Sequence, residues 1–148
     1  MTTFPAIIEE AERLVRRLAA DLTRIRDGEC LCCYVARQLE EYPCDNTHRH
    51  SLRYRDAVAP RATALLDLLG RMGACCCDCE VLMNAYEPHR RFWTPEREDE
   101  PDGLVEIIES DWPEVLPTCA GVRRGTIHPC SNWIRHRRWC VRRTYVRP

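Results

Sequence analysis

Cysteine is the residue whose number and spacing most clearly indicate chemistry in this sequence. The chain has 11 cysteines in 148 residues, which is far above ordinary usage and indicates a disulfide scaffold or a metal or redox site. The segment 1–21 carries Glu and Arg instead of a basic leader with an apolar run, so neither a signal peptide nor a membrane span is expected. Thiols in a reducing cytoplasm stay available to metal. We therefore expect a soluble, cytoplasmic protein whose cysteines bind metal.

Two cysteine pairs have the spacing that a zinc site needs. Cys30 and Cys33 form one pair, and Cys77 and Cys79 flank an aspartate in the other. Both pairs stand where a helix is predicted to begin, and the positive end of the helix dipole favours thiolate over thiol. A tetrahedral Zn²⁺ ion takes four such donors. The spacing predicts one closed zinc site made of these four cysteines.

Other residues could replace or supplement these ligands. For Cys32, Cys75 and Cys76, packing as small hydrophobic residues and metal ligation are equally open. Cys44 precedes an Asp-Asn-Thr turn and could substitute for one thiolate, and the C-terminal donors offer a second site without C-x-x-C spacing. The alternative metal ligands are Cys32, Cys44, His48, Cys119, His128, Cys130 and Cys140, with His136 as a further donor in the second site.

The C-terminal end is rich in arginine. Residues 115–148 contain eight arginines and no acid, whereas residues 96–114 contain nine acids and one arginine. Arginine binds phosphate and aromatic faces stack on unpaired bases, which suits RNA; the alternative is that this end docks on the acidic run. The predicted RNA-binding residues are Arg123, Arg124, Arg135, Arg137, Arg138, Trp139, Arg142 and Arg143.

Helical periodicity predicts the elements that position these residues. Apolar residues at three- and four-residue steps predict a first helix over 5–26, whose apolar stripe is expected to lie in the core. Further helices are predicted over 30–41, from Asp45 or Thr47 through residue 58, over 60–73 and over 77–88. Beyond them the periodicity fades, and the C-terminal end is expected to form one or two short strands in a small hairpin.

The predicted fold is therefore mainly α. A small helical core is clamped by a four-cysteine zinc site and carries an irregular or short-strand, arginine-rich C-terminal extension. The predicted division is a helical zinc-binding domain over 1–88, an acidic proline-rich linker over 89–118 and an arginine and aromatic extension over 119–148.

The chain resembles a bacterial, largely actinobacterial family of unknown function, unknown-function domain family 2695, marked by a Gly-x-Cys-Asp-Cys-Glu motif. The resemblance covers 27–86 and rests on the segments GECLCCYVARQLEEYPCDNT and YRDAVAPRATALLDLLGRMGACCCDCEVLMNAY. Some mycobacterial members look like zinc-responsive factors that recruit a hibernation protein to ribosomes, so the resemblance implies a similar role. Residues on the family's characteristic positions are Cys30, Cys33, Cys44, Cys77, Asp78, Cys79 and Glu80, whereas Cys32, Cys75 and Cys76 look like additions.

Enzyme signatures are missing from the sequence. It contains no His-Glu-x-x-His, no Gly-rich phosphate loop and no Gly-x-Ser-x-Gly element, and a closed four-cysteine site leaves no position for a reacting water. We expect a zinc-binding, non-catalytic regulatory or adaptor protein that associates with the ribosome, RNA or a ribosome-bound protein, with no membrane and no small-molecule substrate. The alternative is a thiol-based redox sensor or enzyme that uses the surplus cysteines.

Overall fold

The part of the chain that the structure describes is mainly helical. A computed structural model describes residues 4–93 and 112–137. Within these ranges no helix is both long enough and apolar enough to cross a membrane. The elements are α1 (Phe4–Leu22), α2 (Leu31–Glu41), α3 (Arg49–Val58), α4 (Leu65–Arg71), α5 (Asp78–Glu80), a π-helical turn (Val81–Ala85), β1 (Tyr86–Pro88), a 3-10 turn (Arg90–Phe92) and β2 (Trp133–Arg135).

Helix α2 lies at the centre of the core. Cys30 caps its N-terminus, because the Cys30 sulfur accepts a hydrogen bond from the backbone N–H of Cys33 at 3.4 Å. Leu31, Tyr34 and Val35 are fully buried, as the periodicity predicts, and they pack against α3 and the π-helical turn. The local sequence thus determines both the position of α2 and the face that it buries.

Asp78 fixes the turn at residues 77–79 onto the start of α3. Its carboxylate is 1% exposed and accepts hydrogen bonds from the backbone N–H of His50 at 2.8 Å and of Ser51 at 3.0 Å. The Ser51 hydroxyl donates to the same carboxylate at 2.6 Å, and the Asp78 N–H donates to the Thr47 carbonyl at 3.0 Å. The first N–H groups of a helix lack intrahelical partners, so Asp78 caps α3 from a distant part of the chain.

A two-stranded antiparallel sheet joins the C-terminal segment to the core. Strand β2 pairs with β1, with Ile134 opposite Glu87, and the predicted helix over 77–88 therefore gives way to a strand at Tyr86. Of the one or two short strands predicted for the C-terminal end, the described residues contain β2, and its partner there is β1. Trp133 is 5% exposed and belongs to the core, so burial of its ring draws β2 onto β1.

The apolar stripe of α1 lies outside the core. None of the side chains of α1 is buried, and Val15 is 64% exposed. The chain reaches α2 only at the end of this helix and after it, where the Leu22 carbonyl accepts a hydrogen bond from Gln38 and the Thr23 carbonyl accepts one from Tyr34. The core prediction is wrong for the part of the stripe in α1, because α2 and α3 bury their apolar faces against each other and against residues 78–85. Ile25, which follows α1, packs against the core as predicted.

Several sequence predictions fall on residues outside the described ranges. These are most of the acidic run over 96–114 and the C-terminal residues beyond 137. The division into 1–88, 89–118 and 119–148 stays a prediction. The predicted site residues outside the description are Arg138, Trp139, Cys140, Arg142 and Arg143.

Replacement of Asp78 by alanine should destabilise the fold. The change leaves two buried backbone N–H groups and the Ser51 hydroxyl without their acceptor, so the free energy of unfolding should fall by about 2–4 kcal/mol. Urea denaturation followed by circular dichroism measures this. As a control, Asp56→Ala removes an exposed carboxylate and should cost no more than about 0.5 kcal/mol. Equal losses in the two variants would contradict the capping role.

Candidate metal centre

Four cysteines from distant parts of the chain converge on one point. The sulfur atoms of Cys30, Cys33, Cys119 and Cys130 all lie within 4.8 Å of one another, and those of Cys33 and Cys130 are 3.8 Å apart. Four metal–sulfur bonds of about 2.3 Å around a tetrahedral ion place the sulfurs about 3.8 Å apart. The geometry of the cluster therefore fits a single metal ion. We call these four residues the four-sulfur cluster.

The two halves of the four-sulfur cluster are held by tight turns. Cys30 and Cys33 occupy the N-cap and the first turn of α2. Cys119 is joined to that helix start because the Cys30 N–H donates to the Cys119 sulfur at 3.4 Å. Gly121 also donates its N–H to that sulfur at 3.4 Å, from a backbone φ of 86°. A positive φ of this size favours glycine, so Gly121 permits the turn that presents the sulfur.

The sulfur atoms of the cluster are surrounded by N–H donors. The indole N–H of Trp133 donates to the Cys33 sulfur at 3.2 Å, in addition to the backbone N–H groups that face Cys30 and Cys119. Burial raises the pKa of Cys130, and the backbone amides of Asn132 and Ala120 oppose that rise. Such donors stabilise thiolate, which is the form that binds metal.

The pKa values of the clustered thiols show why a cation suits this point. The hydrogen bond with the Cys33 thiol lowers the pKa of Cys30 well below its usual range, and the same bond raises the pKa of Cys33. Once one thiol has ionised, its charge holds the proton on the next. All four sulfurs can become thiolates together only if a cation binds among them. Burial raises the pKa of Cys32, so Cys32 remains a neutral core thiol.

The structure does not bring together the four cysteines of the predicted zinc site. Cys77 and Cys79 lie in a second group with Cys44, whose three sulfurs are within 4.8 Å of one another. The correction has a physical reason. Asp78 anchors the turn at 77–79 to the start of α3, whereas the start of α2 faces the C-terminal segment. We call Cys44, Cys77 and Cys79 the three-sulfur cluster.

The other predicted ligands have separate positions. Exposed Cys75 and Cys76 form a third group with Glu80, in which the Cys76 N–H donates to the Glu80 carboxylate at 2.8 Å. Buried His48 lies 3.8 Å from the Asp78 carboxylate. His128 is exposed, and neither histidine belongs to a donor group among the described residues.

Sequence spacing alone predicts Cys119 and Cys130 only as alternative ligands. They are 11 positions apart in the sequence, without the C-x-x-C pattern that marks a zinc knuckle. One sequence signal could have indicated these two ligands. A glycine lies two residues before Cys30, and another lies two residues after Cys119. Both glycines have positive φ, and the Val122 N–H donates to the Gly28 carbonyl at 2.9 Å.

An arginine-lined cleft lies beside the four-sulfur cluster. It has a volume of about 570 Å³ and includes Gly28, Asp27 and Glu29 in its wall. The Glu29 carboxylate is bound by Arg37 at 2.8 Å. Two of the arginines come from the C-terminal segment, two from the loop between α1 and α2, and one from α3. The arginines that line this cleft are Arg24, Arg26, Arg53, Arg123 and Arg124.

The predicted RNA-binding residues that the structure describes lie on different surfaces. Arg123 and Arg124 lie at the cleft, whereas Arg135 lines a different surface with Arg71 and His136. Arg137 is exposed at the end of the described segment.

Comparisons with known proteins identify relatives without a described activity. A family profile described as "Protein of unknown function (DUF2695)" matches residues 31–84. Uncharacterized proteins of Mycobacterium bovis and Mycobacterium tuberculosis are 39% identical to this chain over 85 residues, which is 57% of this chain and 82% of each relative. No solved structure matches the chain. The profile contains the whole three-sulfur cluster but, of the four-sulfur cluster, only Cys33.

Substitution of both Cys119 and Cys130 by serine should remove about one equivalent of bound zinc, because the two remaining thiolates hold the ion far less tightly than four. Metal content is measured by atomic emission after zinc loading and desalting. Cys32→Ala is the matched control, since Cys32 is a fully buried cysteine outside the cluster, and it should keep its zinc. Zinc loss from Cys32→Ala, or full retention in the double serine variant, would contradict this ligand assignment.

Proposed function

This chain belongs to the family described as "Protein of unknown function (DUF2695)", and on that premise we propose that it is a zinc-binding, non-catalytic regulatory or adaptor protein that associates with ribosomal RNA. One observation carries the proposal. The four-sulfur cluster joins the C-terminal segment to α2 beside a cleft to which that segment contributes Arg123 and Arg124. Zinc binding and presentation of these arginines are therefore coupled.

Zinc is the metal that best suits the four-sulfur cluster. Thiolate ligands select soft or borderline cations, and four of them in a tetrahedral arrangement are typical of structural zinc. The separation of 3.8 Å between the Cys33 and Cys130 sulfurs matches a single ion. Cys30 is 0% exposed and Cys130 is 4% exposed, whereas Cys33 and Cys119 are half-buried, so an ion in the cluster would be shielded from water on one side. With four protein ligands no position is left for a substrate, which supports a structural role.

Zinc binding should order the C-terminal segment against the core. Cys119 and Cys130 are joined to α2 through sulfur. The pairing of β2 with β1, the hydrogen bond from Val122 to Gly28 and the buried ring of Trp133 supplement this contact. Without metal the clustered thiols keep protons, and the cluster loses the bonds that hold its two halves together. Val122 would then be held less firmly beside Gly28. The arginines that follow Val122 would no longer be held at the cleft.

The cleft has the charge that a nucleic-acid backbone requires. Within the described ranges, no carboxylate lies within 4.0 Å of the guanidinium groups of Arg26, Arg53, Arg123 and Arg124. Guanidinium groups bind phosphate oxygens in a forked geometry. The resemblance to zinc-responsive factors of ribosome hibernation supports the ribosome as the source of that phosphate backbone. The cytoplasmic location that this role requires stays a prediction.

A second candidate function is a thiol-based redox sensor. Cys75 and Cys76 favour it, because both are exposed and their sulfurs are 3.6 Å apart. Zinc content separates the two functions. Protein purified from zinc-replete cells should hold at least about one equivalent of zinc if the first function is right. Less than about half an equivalent, with thiols that cycle between oxidised and reduced forms, would favour the redox sensor.

Loss of the two cleft arginines of the C-terminal segment should weaken ribosome binding. Arg123→Ala combined with Arg124→Ala removes two phosphate contacts, so the slope of log affinity against log salt should fall in magnitude by about 1.4. Cosedimentation with ribosomes over a salt series measures this. Removal of zinc by a chelator should weaken binding by a similar factor, because it releases the same arginines.

The matched control is Arg61→Ala combined with Arg71→Ala. It removes the same charge from exposed residues that do not line the cleft, and its salt dependence should stay close to that of the unchanged protein. Equal weakening in the two double variants would show that only net charge matters. Absence of any ribosome or RNA association at low salt, with zinc bound, would refute the proposed partner.

A further inference from the structure

The three-sulfur cluster is a separate candidate for chemistry. We propose that Cys44, Cys77 and Cys79 form a second zinc site, with three protein ligands and a fourth position open to a small external ligand. The three sulfurs lie within 4.8 Å of one another, as closely grouped as the four-sulfur cluster. The proposal is independent of RNA binding and of the C-terminal segment.

The scaffold of the three-sulfur cluster is formed by hydrogen bonds that need no metal. The turn at 77–79 is anchored to α3 through Asp78. The loop that carries Cys44 is fixed because Asp45 accepts hydrogen bonds from the Thr47 N–H at 3.0 Å and the Thr47 hydroxyl at 2.6 Å. The Thr47 carbonyl accepts the Asp78 N–H. The loop and the turn are thus tied together, and the three thiols are presented at fixed positions.

The fourth position has no protein donor among the described residues. No other His, Cys, Asp or Glu lies within 4.8 Å of all three sulfurs. Glu80 belongs instead to the group with Cys75 and Cys76, where it accepts the Cys76 N–H. A zinc site with three protein ligands takes water or another small ligand in the fourth position. The second site therefore has the coordination of an exchangeable site.

The number of protein ligands also distinguishes the two clusters, because the four-sulfur cluster supplies four and the three-sulfur cluster supplies three. Cys44 and Cys79 are half-buried, and Cys77 is 8% exposed. In the four-sulfur cluster Cys33 and Cys119 are also half-buried, whereas Cys30 and Cys130 are buried. Solvent can reach an ion held by the three-sulfur cluster. We expect zinc there to exchange faster and to bind less tightly than zinc in the four-sulfur cluster. Loss of zinc from the three-sulfur cluster leaves the hydrogen bonds of Asp78 in place, so the helical core should remain folded.

Cobalt loading of the full chain tests the second site. Co²⁺ replaces Zn²⁺ in tetrahedral thiolate sites, and its visible absorption reports the ligands. The unchanged protein should bind about two equivalents, Cys44→Ala about one, and the control Cys75→Ala with Cys76→Ala about two. Imidazole should shift the absorption of the second equivalent only, because it enters the open position.

The outcomes separate this proposal from the function proposed above. The double variant Cys119→Ser with Cys130→Ser should keep the imidazole-sensitive equivalent and lose the other one. Binding of only one equivalent, lost in this double variant, would overturn the second site and leave the four-sulfur cluster intact. Loss of the second equivalent from the Cys75 and Cys76 control would overturn the ligand assignment, and an imidazole-insensitive spectrum would overturn the open position. Circular dichroism checks the fold of Cys44→Ala, and Cys79→Ala replaces it if that fold is lost.

Discussion

Four sulfur atoms within 4.8 Å of one another cannot all be negatively charged unless a cation lies among them. This constraint governs the C-terminal half of the described structure. Buried thiolates repel one another strongly at this distance, and the surrounding N–H groups of Gly121 and Trp133 stabilise the charges without neutralising them. A metal ion bound among the sulfurs would neutralise these charges and form one bond with each sulfur. These bonds would add to the contacts that the segment 112–137 already makes with the core through strand β2, the Val122–Gly28 hydrogen bond and its apolar residues.

The helical core has a different basis for its stability. Buried apolar residues of α2 and α3 pack against residues 78–85. The Asp78 carboxylate accepts hydrogen bonds from backbone N–H groups at the start of α3. Neither contribution requires coordination chemistry. The molecule thus combines a core held by packing and hydrogen bonds with a C-terminal segment to which the four-sulfur cluster adds a further link. The three-sulfur cluster lies within the core, whereas the four-sulfur cluster links the core to the C-terminal segment. Metal bound at the two clusters therefore stabilises different parts of the structure.

Local signals predicted part of this arrangement. Leu31, Tyr34 and Val35 are apolar at helical spacing and lie in the core as expected, and both cysteine pairs stand at helix starts. The partners of those pairs could not be predicted, because Cys119 has no local motif and Cys44 is brought to residues 77–79 only by the fold. The stripe of α1 has the same periodicity as a core helix, yet periodicity does not state whether another apolar surface remains to cover it.

The length of chain between the contacting residues has a consequence for folding. The contacts that close the four-sulfur cluster link residues 89, 97 and 100 positions apart, whereas the contacts of α2 with α3 and with residues 78–85 are much closer in sequence. Contacts between distant residues form slowly because the intervening chain must first lose its freedom. We expect the core to fold early and the cluster to close last, after Cys130 has been synthesised. Zinc supply would then act on the final step of maturation and leave the nucleation of the fold untouched.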